Sequence, residues 1–412
     1  MSKLHTSRHS LKPWGTRRAL VLASALAAAT ASLPAAAQSS GEPVRLGALL
    51  SVTGNPANGL TAQTGYKMAV DEINAAGGIL GRKVEMIVAD DANDPTQAVT
   101  SVKRLISRDR IQIMVGPMVS QSTLAVAPVL TEARVANVSV SGSSAITAKV
   151  APYHFSLFTS IQGVAMAMVE HAQRNLKAKS IAILTDTGSQ GKAALEELQR
   201  LLPARGMTIT GTQQHDPKPA DVTAQLLSLR RGNPEVIIHV GSTGEDSGMM
   251  LKNMDELGWK VPIISNTTSL NVPMVIRHAG PNAYNGGMVH GQLLKAYTYC
   301  PNEGVGQTEF GKFIGKLKAY DPKNFEQLNQ QVVSMAYDGV YILKDAVEAT
   351  KSFDGATIAA WMEKNASSVK GRINGPLAAS PDNHFLVGPD AIVFVNRPDL
   401  KRADGAALRN CS

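Results

Sequence analysis

The chain has 412 residues, of which 44% are apolar and 18% are charged. This apolar content excludes a disordered chain and is enough to fill the cores of two domains. The formal net charge is +8 at pH 7, and what it means depends on where the charges lie.

The first 37 residues predict an export signal. The apolar run at residues 19–33 is shorter than the roughly 20 residues that span a bilayer. Small residues at positions 35–37 suit signal peptidase, so we expect cleavage after Ala37 on the general secretory route. A twin-arginine route and an uncleaved anchor are the alternatives. The head of this segment is basic and contains no acid, its cations being Lys3, Arg8, Lys12, Arg17 and Arg18.

Removal of the signal changes the charge argument. Five cations leave with it, so the mature net charge is 8 − 5 = +3, and binding to nucleic acid loses its support. The remaining 412 − 37 = 375 residues exceed what one hydrophobic core usually organises, which predicts two domains. No later segment is apolar for long enough to span a membrane, so we expect a soluble, periplasmic protein.

Beyond residue 43, short β-branched runs alternate with amphipathic helical runs, a pattern typical of parallel sheets covered by helices. This α/β pattern occurs twice in series. In the first stretch the predicted strands are residues 44–50, 83–90, 111–115 and 136–140, and the predicted helices are residues 62–75, 96–108 and 122–132. In the second stretch the predicted strands are residues 180–185, 207–213, 236–240 and 261–265, followed by a mainly helical region at 306–365 and a last strand at 391–395.

Two segments of the first stretch resemble the leucine-isoleucine-valine-binding protein family of type I periplasmic binding proteins. They are TGYKMAVDEINAAGGILGRKVEMIVADDANDPTQAVTSVKRLI and VGPMVSQSTLAVAPVLTEARV, in which the DEINAAGG and DPTQAV elements stand at the family's spacing. The resemblance covers nearly the whole mature chain. It implies two Rossmann-like, doubly wound lobes joined by a three-segment hinge, with the ligand bound in the cleft and the lobes closing on it.

The same resemblance sets the expected lobe boundaries. It implies crossovers near Phe158, Met288 and Leu377. The N-terminal lobe is then expected to hold residues 43–158 and 289–376, and the C-terminal lobe residues 159–288 and 377–412.

Hydroxyl and amide side chains follow two strands of the predicted first lobe. Ser120 and Gln121 follow the third strand, and Ser141 and Ser143 follow the fourth. In a doubly wound sheet these strand ends lead into helix N-termini, whose free N–H groups bind anions. The resemblance implies that Ser120 and Ser143 bind a ligand carboxylate through their side chains, and Ser141 mainly through its backbone. The alternative is that these serines only cap helices.

The second lobe departs from the family's amino-acid-binding pattern. Thr267 or Thr268 stands where the family has an acid facing the ligand ammonium, and Gln190 and Ser242 or Thr243 replace usual aromatic residues. A buried ammonium without a carboxylate is costly. We therefore expect a small ligand that bears a carboxylate or amide and has no free α-ammonium.

Other residues near the expected cleft carry weaker signals. Glu245 or Asp246 could still supply the missing acid. Asn58, in the loop at residues 51–59, is expected to line the cleft mouth, although residues of this type also serve turns. His154 is expected to be structural, because it stands without a catalytic partner in the sequence.

Two cysteines, Cys300 and Cys411, suit an oxidising compartment. They could bridge a mid-chain loop to the C-terminal tail, or they could be two unpaired thiols. Their spacing matches no zinc or redox motif, so we expect no metal and no cofactor.

Catalytic motifs are missing from the sequence, which contains no GxGxxG after the first strand and no GxSxG, P-loop or HExxH. We therefore expect a binding protein, not an enzyme. Its expected partners are a small organic ligand and the membrane permease subunits of an ABC transporter, and the protein itself is expected to be a monomer. The alternative is a ligand sensor that serves a separate membrane receptor.

Overall fold

A computed structural model describes residues 41–53, 56–143 and 145–411 of the chain, without the side chains of residues 56–58 and 189. The predicted signal segment and its cleavage site at Ala37 lie outside the described residues. Within the described part, no helix combines the length and the apolar character needed to cross a bilayer.

Strands and helices alternate along the described chain. The strands are β1 (Val44–Leu50), β2 (Val84–Asp90), β3 (Ile113–Val115), β4 (Ala136–Ser139), β5 (His154–Thr159), β6 (Ser180–Asp186), β7 (Thr208–His215), β8 (Val236–Val240), β9 (Ile263–Ser265), β10 (Val289–Leu294), β11 (Thr298–Tyr299), β12 (Phe385–Val387), β13 (Ile392–Val395) and β14 (Ala407–Leu408). The helices are α1 (Pro56–Ala75), α2 (Pro95–Ser107), α3 (Ser120–Glu132), α4 (Ile161–Arg174), α5 (Ser189–Ala204), α6 (Thr223–Arg230), α7 (Gly244–Glu256), α8 (Val272–Ala279), α9 (Glu309–Tyr320), α10 (Gln330–Thr350) and α11 (Gly355–Asn365).

The strands form two large sheets. The first has the order β12-β5-β4-β3-β1-β2 and is parallel throughout. The second has the order β13-β10-β9-β8-β6-β7 and is parallel except for the antiparallel pair of β10 and β13. In the first sheet β1 lies between β2 and β3, and in the second β6 lies between β7 and β8. The chain therefore winds outward from an inner strand in both directions, as in doubly wound folds. The predicted α/β class is thereby confirmed.

The local chemistry of α2 shows why the elements begin where they do. The side chain of Asp94 accepts a hydrogen bond from the backbone N–H of Gln97, and Pro95 occupies the first turn, where no N–H is needed. On the inner face, Val102 and Leu105 are fully buried. The cap therefore sets the start of the helix, and the apolar stripe sets which side packs against the sheet.

The chain passes between the two sheets three times. It leaves the first sheet after Thr159, leaves the second after Leu294, and crosses again between Val387 and Ile392. After the second passage, α10 packs against α1 beside the first sheet. The three passages lie side by side in the structure's sheet order, since β5 and β12 are neighbours and so are β10 and β13.

Two strands join a different sheet from the one that the expected lobe boundaries suggest. Residues 289–294 form β10 of the second sheet although 289–376 was expected in the first lobe, and residues 385–387 form β12 of the first sheet although 377–412 was expected in the second. The physical reason is that a strand entering a hinge is as apolar as any interior strand. Its sequence therefore does not indicate which sheet it joins.

The C-terminal tail returns to the middle of the chain. A disulfide joins Cys300 and Cys411, whose Cα atoms are 5.8 Å apart. Next to it, β11 and β14 pair in parallel, and the guanidinium of Arg409 donates to the hydroxyl of Thr298 at 2.9 Å. The tail is thus attached beside the second passage between the sheets.

Candidate functional site

Two loops of the first sheet meet at the carboxyl ends of β3 and β4. Ser120 is the first residue of α3, and its Oγ accepts a hydrogen bond from the backbone N–H of Ser143 at 3.2 Å. Because this bond uses Ser120 Oγ as an acceptor, the hydroxyl proton is left to donate to another group. We call Ser120 and Ser143 the serine cradle.

Glycine at position 116 allows the chain to turn from β3 into this cradle. Gly116 has φ +78°, and a Cβ there would lie 2.2 Å from the carbonyl oxygen of Leu49. Asn137 on β4 donates its side-chain amide to the carbonyl of Gly116. The backbone before α3 therefore lies close against β1 and is hydrogen-bonded to β4, and only glycine fits at this position.

Ser141 is hydrogen-bonded within the loops at the ends of these strands. It is fully buried, its Oγ lies 2.5 Å from Thr123 Oγ1, its N–H donates to Ser139 Oγ, and its carbonyl accepts from Ser156 Oγ. Both backbone groups of Ser141 thus have partners within the protein, and its expected backbone contact with a ligand stays a prediction.

The other first-lobe candidates differ in exposure. Gln121 is exposed on the first turn of α3. Ser143 is half-buried, and its Oγ accepts from the backbone N–H of Ala145 at 3.3 Å. Asn58 lies in the first turn of α1, but its side chain is outside the described residues.

Several candidates of the second lobe serve local structure. Thr243 caps α7, accepting from the N–H of Asp246 at 3.3 Å and donating to the carbonyl of Pro217 at 3.2 Å. The carboxylate of Asp246 accepts from the N–H groups of Ser242 and Thr243 at 2.8 and 3.1 Å. Burial raises the pKa of this carboxyl. Asp246 is therefore a helix cap that faces its own backbone, whereas Glu245 is half-buried.

Two neighbouring threonines in the loop after β9 differ in their surroundings. Thr268 is engaged, since its Oγ1 lies 2.6 Å from Asn266 Oδ1 and 2.9 Å from Ser247 Oγ. Thr267 is exposed and lines a large cavity. Gln190, on the first turn of α5, is exposed as well.

Asp186 is an acid that the sequence reasoning missed. It is the last residue of β6 and is fully buried, with Oδ1 accepting from the N–H of Gly188 at 2.9 Å. Its other oxygen, Oδ2, has no hydrogen-bond partner among the described residues. The available signal was an acid at the carboxyl end of an apolar strand, which is unusual in a buried position.

The cavity next to Thr267 lies where the chain passes between the sheets, and we call it the hinge cavity. Its volume is about 910 Å³, within the range of ligand pockets. Phe158 from β5, Gln292 from β10, the first turn of α10 and residues of the C-terminal tail line it. Both sheets therefore contribute to it.

Phe158 connects the hinge cavity with the serine cradle. Its ring lines the cavity, and it also lies against Gly142, where an added Cβ would be 2.7 Å from the ring. Gly142 directly precedes Ser143. The cradle and the cavity are thus neighbouring parts of one region at the junction of the two sheets.

His154 is structural, in a position without solvent. It is buried, its Nδ1 lies 2.6 Å from Asn137 Oδ1, and its Nε2 lies 3.3 Å from Ser139 Oγ. Burial lowers the pKa of His154 to about 3, so the ring is neutral at physiological pH. The described residues also contain no cluster of His, Cys, Asp and Glu that could hold a metal ion.

Two doubly wound lobes, three passages between them and a cavity at their junction define the fold of the type I periplasmic binding proteins. Two solved structures of this class align with the chain along most of its length. A type 1 periplasmic binding protein from Bordetella pertussis covers 85% of this chain and 96% of its own, with a TM-score of 0.64 and 22% identity. A leucine-binding protein from Thermotoga maritima covers 87% of this chain and 100% of its own, with a TM-score of 0.61 and 21% identity.

The chain belongs to the periplasmic binding protein family, whose model matches residues 43–402. This finding confirms the resemblance read from the sequence. The family consists of exported solute-binding proteins and not of enzymes.

Curated relatives agree with this assignment at lower coverage. The Leu/Ile/Val-binding protein BraC3 of Rhizobium johnstonii is 28% identical over 54% of this chain and 60% of its own length. The Leu/Ile/Val-binding protein homolog 7 of Brucella abortus is 24% identical over 81% of this chain and 84% of its own length. For three relatives matched over shorter regions, BraC3 among them, the match spans 60%, 66% and 59% of their lengths.

Proposed function

We propose that this chain is the periplasmic solute-binding protein of an ABC importer of the branched-chain-amino-acid type. In this proposal the signal is cleaved after Ala37, the mature protein acts as a monomer, and the permease subunits recognise its closed, ligand-bound form. Names of the relatives support the transport assignment, since they include Leu/Ile/Val-binding proteins and a branched-chain amino acid transporter substrate-binding protein.

The proposed ligand is a small carboxylate or amide-bearing compound without a free α-ammonium. The observation that carries this proposal is the contact between Ser143 N–H and Ser120 Oγ, which leaves a hydroxyl proton available beside the hinge cavity. A carboxylate is the group best suited to accept it.

The acids of the second lobe support the same ligand class. Asp246 is used as a helix cap, and Asp186 is fully buried at the end of β6. A ligand ammonium needs a carboxylate that it can reach, because burial of an unpaired charge is costly. Of Asp186, Glu245 and Asp246, only Glu245 is partly exposed to solvent.

Calorimetric titration of the mature protein tests this proposal. We expect binding of simple organic acids and weaker or no binding of leucine and valine. Ligand binding should also raise the melting temperature with concentration, because the ligand binds only the folded state. Tight binding of leucine or valine, without any response to organic acids, would contradict the proposed ligand class.

A pair of serine variants on one helix tests the cradle itself. Ser120→Ala should weaken binding of the acid by roughly tenfold, the effect of losing one hydrogen bond to a charged group. Ser122→Ala is the matched control, since Ser122 is fully buried and its Oγ has no partner among the described residues. Equal affinity of Ser120→Ala and Ser122→Ala would remove Ser120 from the site.

A further inference from the structure

The hinge cavity has a lining of distinct chemistry. None of the described residues that line it is acidic, and only one, Lys401, carries a charge. Phe158, Tyr297 and Phe310 supply aromatic surface. Six side-chain amides supply polar groups, namely Asn271, Gln292, Gln327, Asn329, Gln330 and Gln331. Such a lining suits a ligand with an uncharged body and a negatively charged group.

Lys401 is free to bind such a group. In the described part of the chain, its ammonium makes no hydrogen bond or ion pair. The neighbouring charges on the tail neutralise each other, since Arg402 donates to both carboxylate oxygens of Asp404 at 2.9 and 2.6 Å. An exposed lysine is ordinary on a protein surface, but this one lies at the edge of a cavity that lacks acids.

The tail that carries Lys401 has a defined position. Lys401 forms a backbone bridge with Ala407, which belongs to the strand paired with β11. The disulfide of Cys300 and Cys411 holds the end of the tail against the same region. The cation is therefore supplied by a constrained segment and not by a loose terminus.

The serine cradle and Lys401 belong to separate places. Neither Ser120 nor Ser143 is among the residues that line the hinge cavity, and Phe158 lies between the cavity and the loop that carries Ser143. Because the cradle and Lys401 do not share a lining, we do not expect one carboxylate in this cavity of about 910 Å³ to contact both. They are suited to two anionic groups at different points of one ligand.

We propose that Lys401 is a specificity-determining residue that binds a second anionic group, so that the preferred ligand is an organic dicarboxylate held between Lys401 and the serine cradle. This inference rests on the proposed function and narrows its ligand class. The aromatic and amide side chains of the hinge cavity then surround the uncharged middle of the ligand.

The test compares dicarboxylates with their monoamides by calorimetry at low salt, where charge interactions are least screened. The probes are succinate, glutarate, adipate and pimelate, and each monoamide keeps the length of its parent but loses one charge. For the wild-type protein we expect at least one dicarboxylate to bind about tenfold more tightly than its monoamide, the difference made by one ion pair to a ligand.

Variants of Lys401 show whether its charge causes this difference in affinity. Lys401→Gln should remove the preference for the dicarboxylate, whereas Lys401→Arg should retain most of it. Lys103→Gln is the matched control, because Lys103 is an exposed lysine of α2 away from the cavity. All variants keep Cys300 and Cys411, so the tail stays attached.

The outcomes separate this inference from the proposed function. The inference is overturned if no dicarboxylate exceeds its monoamide, if Lys401→Gln keeps the preference, or if Lys401→Gln weakens both probes equally. The proposed function survives each of these results as long as some organic acid binds and Ser120→Ala weakens it. Failure of every organic acid to bind the wild-type protein would instead reject the proposed function.

Discussion

Burial changes the pKa of several single residues in this protein. Three histidines in different parts of the fold are examples, His154 on β5, His171 on α4 and His239 on β8. Burial lowers the pKa of His154 and His239 to about 3 and that of His171 to about 4, and each has a further histidine nearby that acts in the same direction. The folded protein therefore keeps all three rings neutral.

These histidines predict loss of stability in mild acid. Their folded pKa values lie below the ordinary value of about 6.5, so the unfolded chain binds more protons between that value and the folded pKa. Stability is therefore fully present above pH 6.5 and falls as the pH drops, by up to about 1.4 kcal/mol per pH unit for each ring. Urea unfolding at pH 7, 6 and 5 measures this fall.

A variant of His239 measures how much one ring contributes to the loss of stability in acid. In His239→Gln the decline per pH unit should be smaller by up to about 1.4 kcal/mol, because one of the three rings no longer titrates. An unfolding free energy that is the same at pH 7 and pH 5 in the wild-type protein would show that these pKa shifts are absent.

Among the secondary-structure elements, α1 and α10 pack closely against each other beside the first sheet. Gly65 of α1 lies against α10, where an added Cβ would be 2.4 Å from the carbonyl oxygen of Val333 and 2.8 Å from Cβ of Ala336. Further along, Glu72 of α1 accepts from the hydroxyl of Tyr337 at 2.6 Å. The small residue permits close approach of the backbones, and the hydrogen bond holds the helices in register.

Two glycine-to-alanine variants should have opposite effects on stability. Gly65→Ala forces α1 and α10 apart and should lower the unfolding free energy by about 1–3 kcal/mol, the usual cost of overpacking. Gly315→Ala, in the exposed face of α9, meets nothing within 4 Å and should raise it by about 0.5–1 kcal/mol, because alanine favours the helix. Urea unfolding compares both with the wild type. A Gly65→Ala protein as stable as wild type would disprove the close contact.

At the scale of the whole molecule, the disulfide closes a long loop. Cys300 and Cys411 are separated by 111 positions in the sequence, so the bond joins the second passage between the sheets to the end of the described chain. Cross-linking a loop of this length restricts the unfolded chain far more than the folded one.

Removing the disulfide should therefore destabilise the protein without changing its fold. For the double variant Cys300→Ser, Cys411→Ser we expect a loss of about 2–5 kcal/mol in the free energy of unfolding. Wild-type protein in a reducing agent should match the variant, and the agent should not affect the variant further. If oxidised wild type and the variant unfold at the same urea concentration, the bond contributes nothing to stability.

The sequence by itself determined the kind and order of the elements. Strand β1 and strand β8 have the predicted bounds, and α2 differs from its prediction by one residue at each end. Such elements are set by local chemistry: a capping residue, a proline or a run of β-branched residues acts on its near neighbours in the chain. Family membership was also legible, because the two quoted segments are continuous.

Only the tertiary structure decided which residues meet. It showed that β10 joins the second sheet and β12 the first, that Ser141 is buried, and that Asp246 caps a helix. It also brought Lys401 to the edge of the hinge cavity, about 240 positions from Phe158 in the sequence. Contacts of this kind depend on how the chain returns through the hinge, and no local pattern of residues records that path.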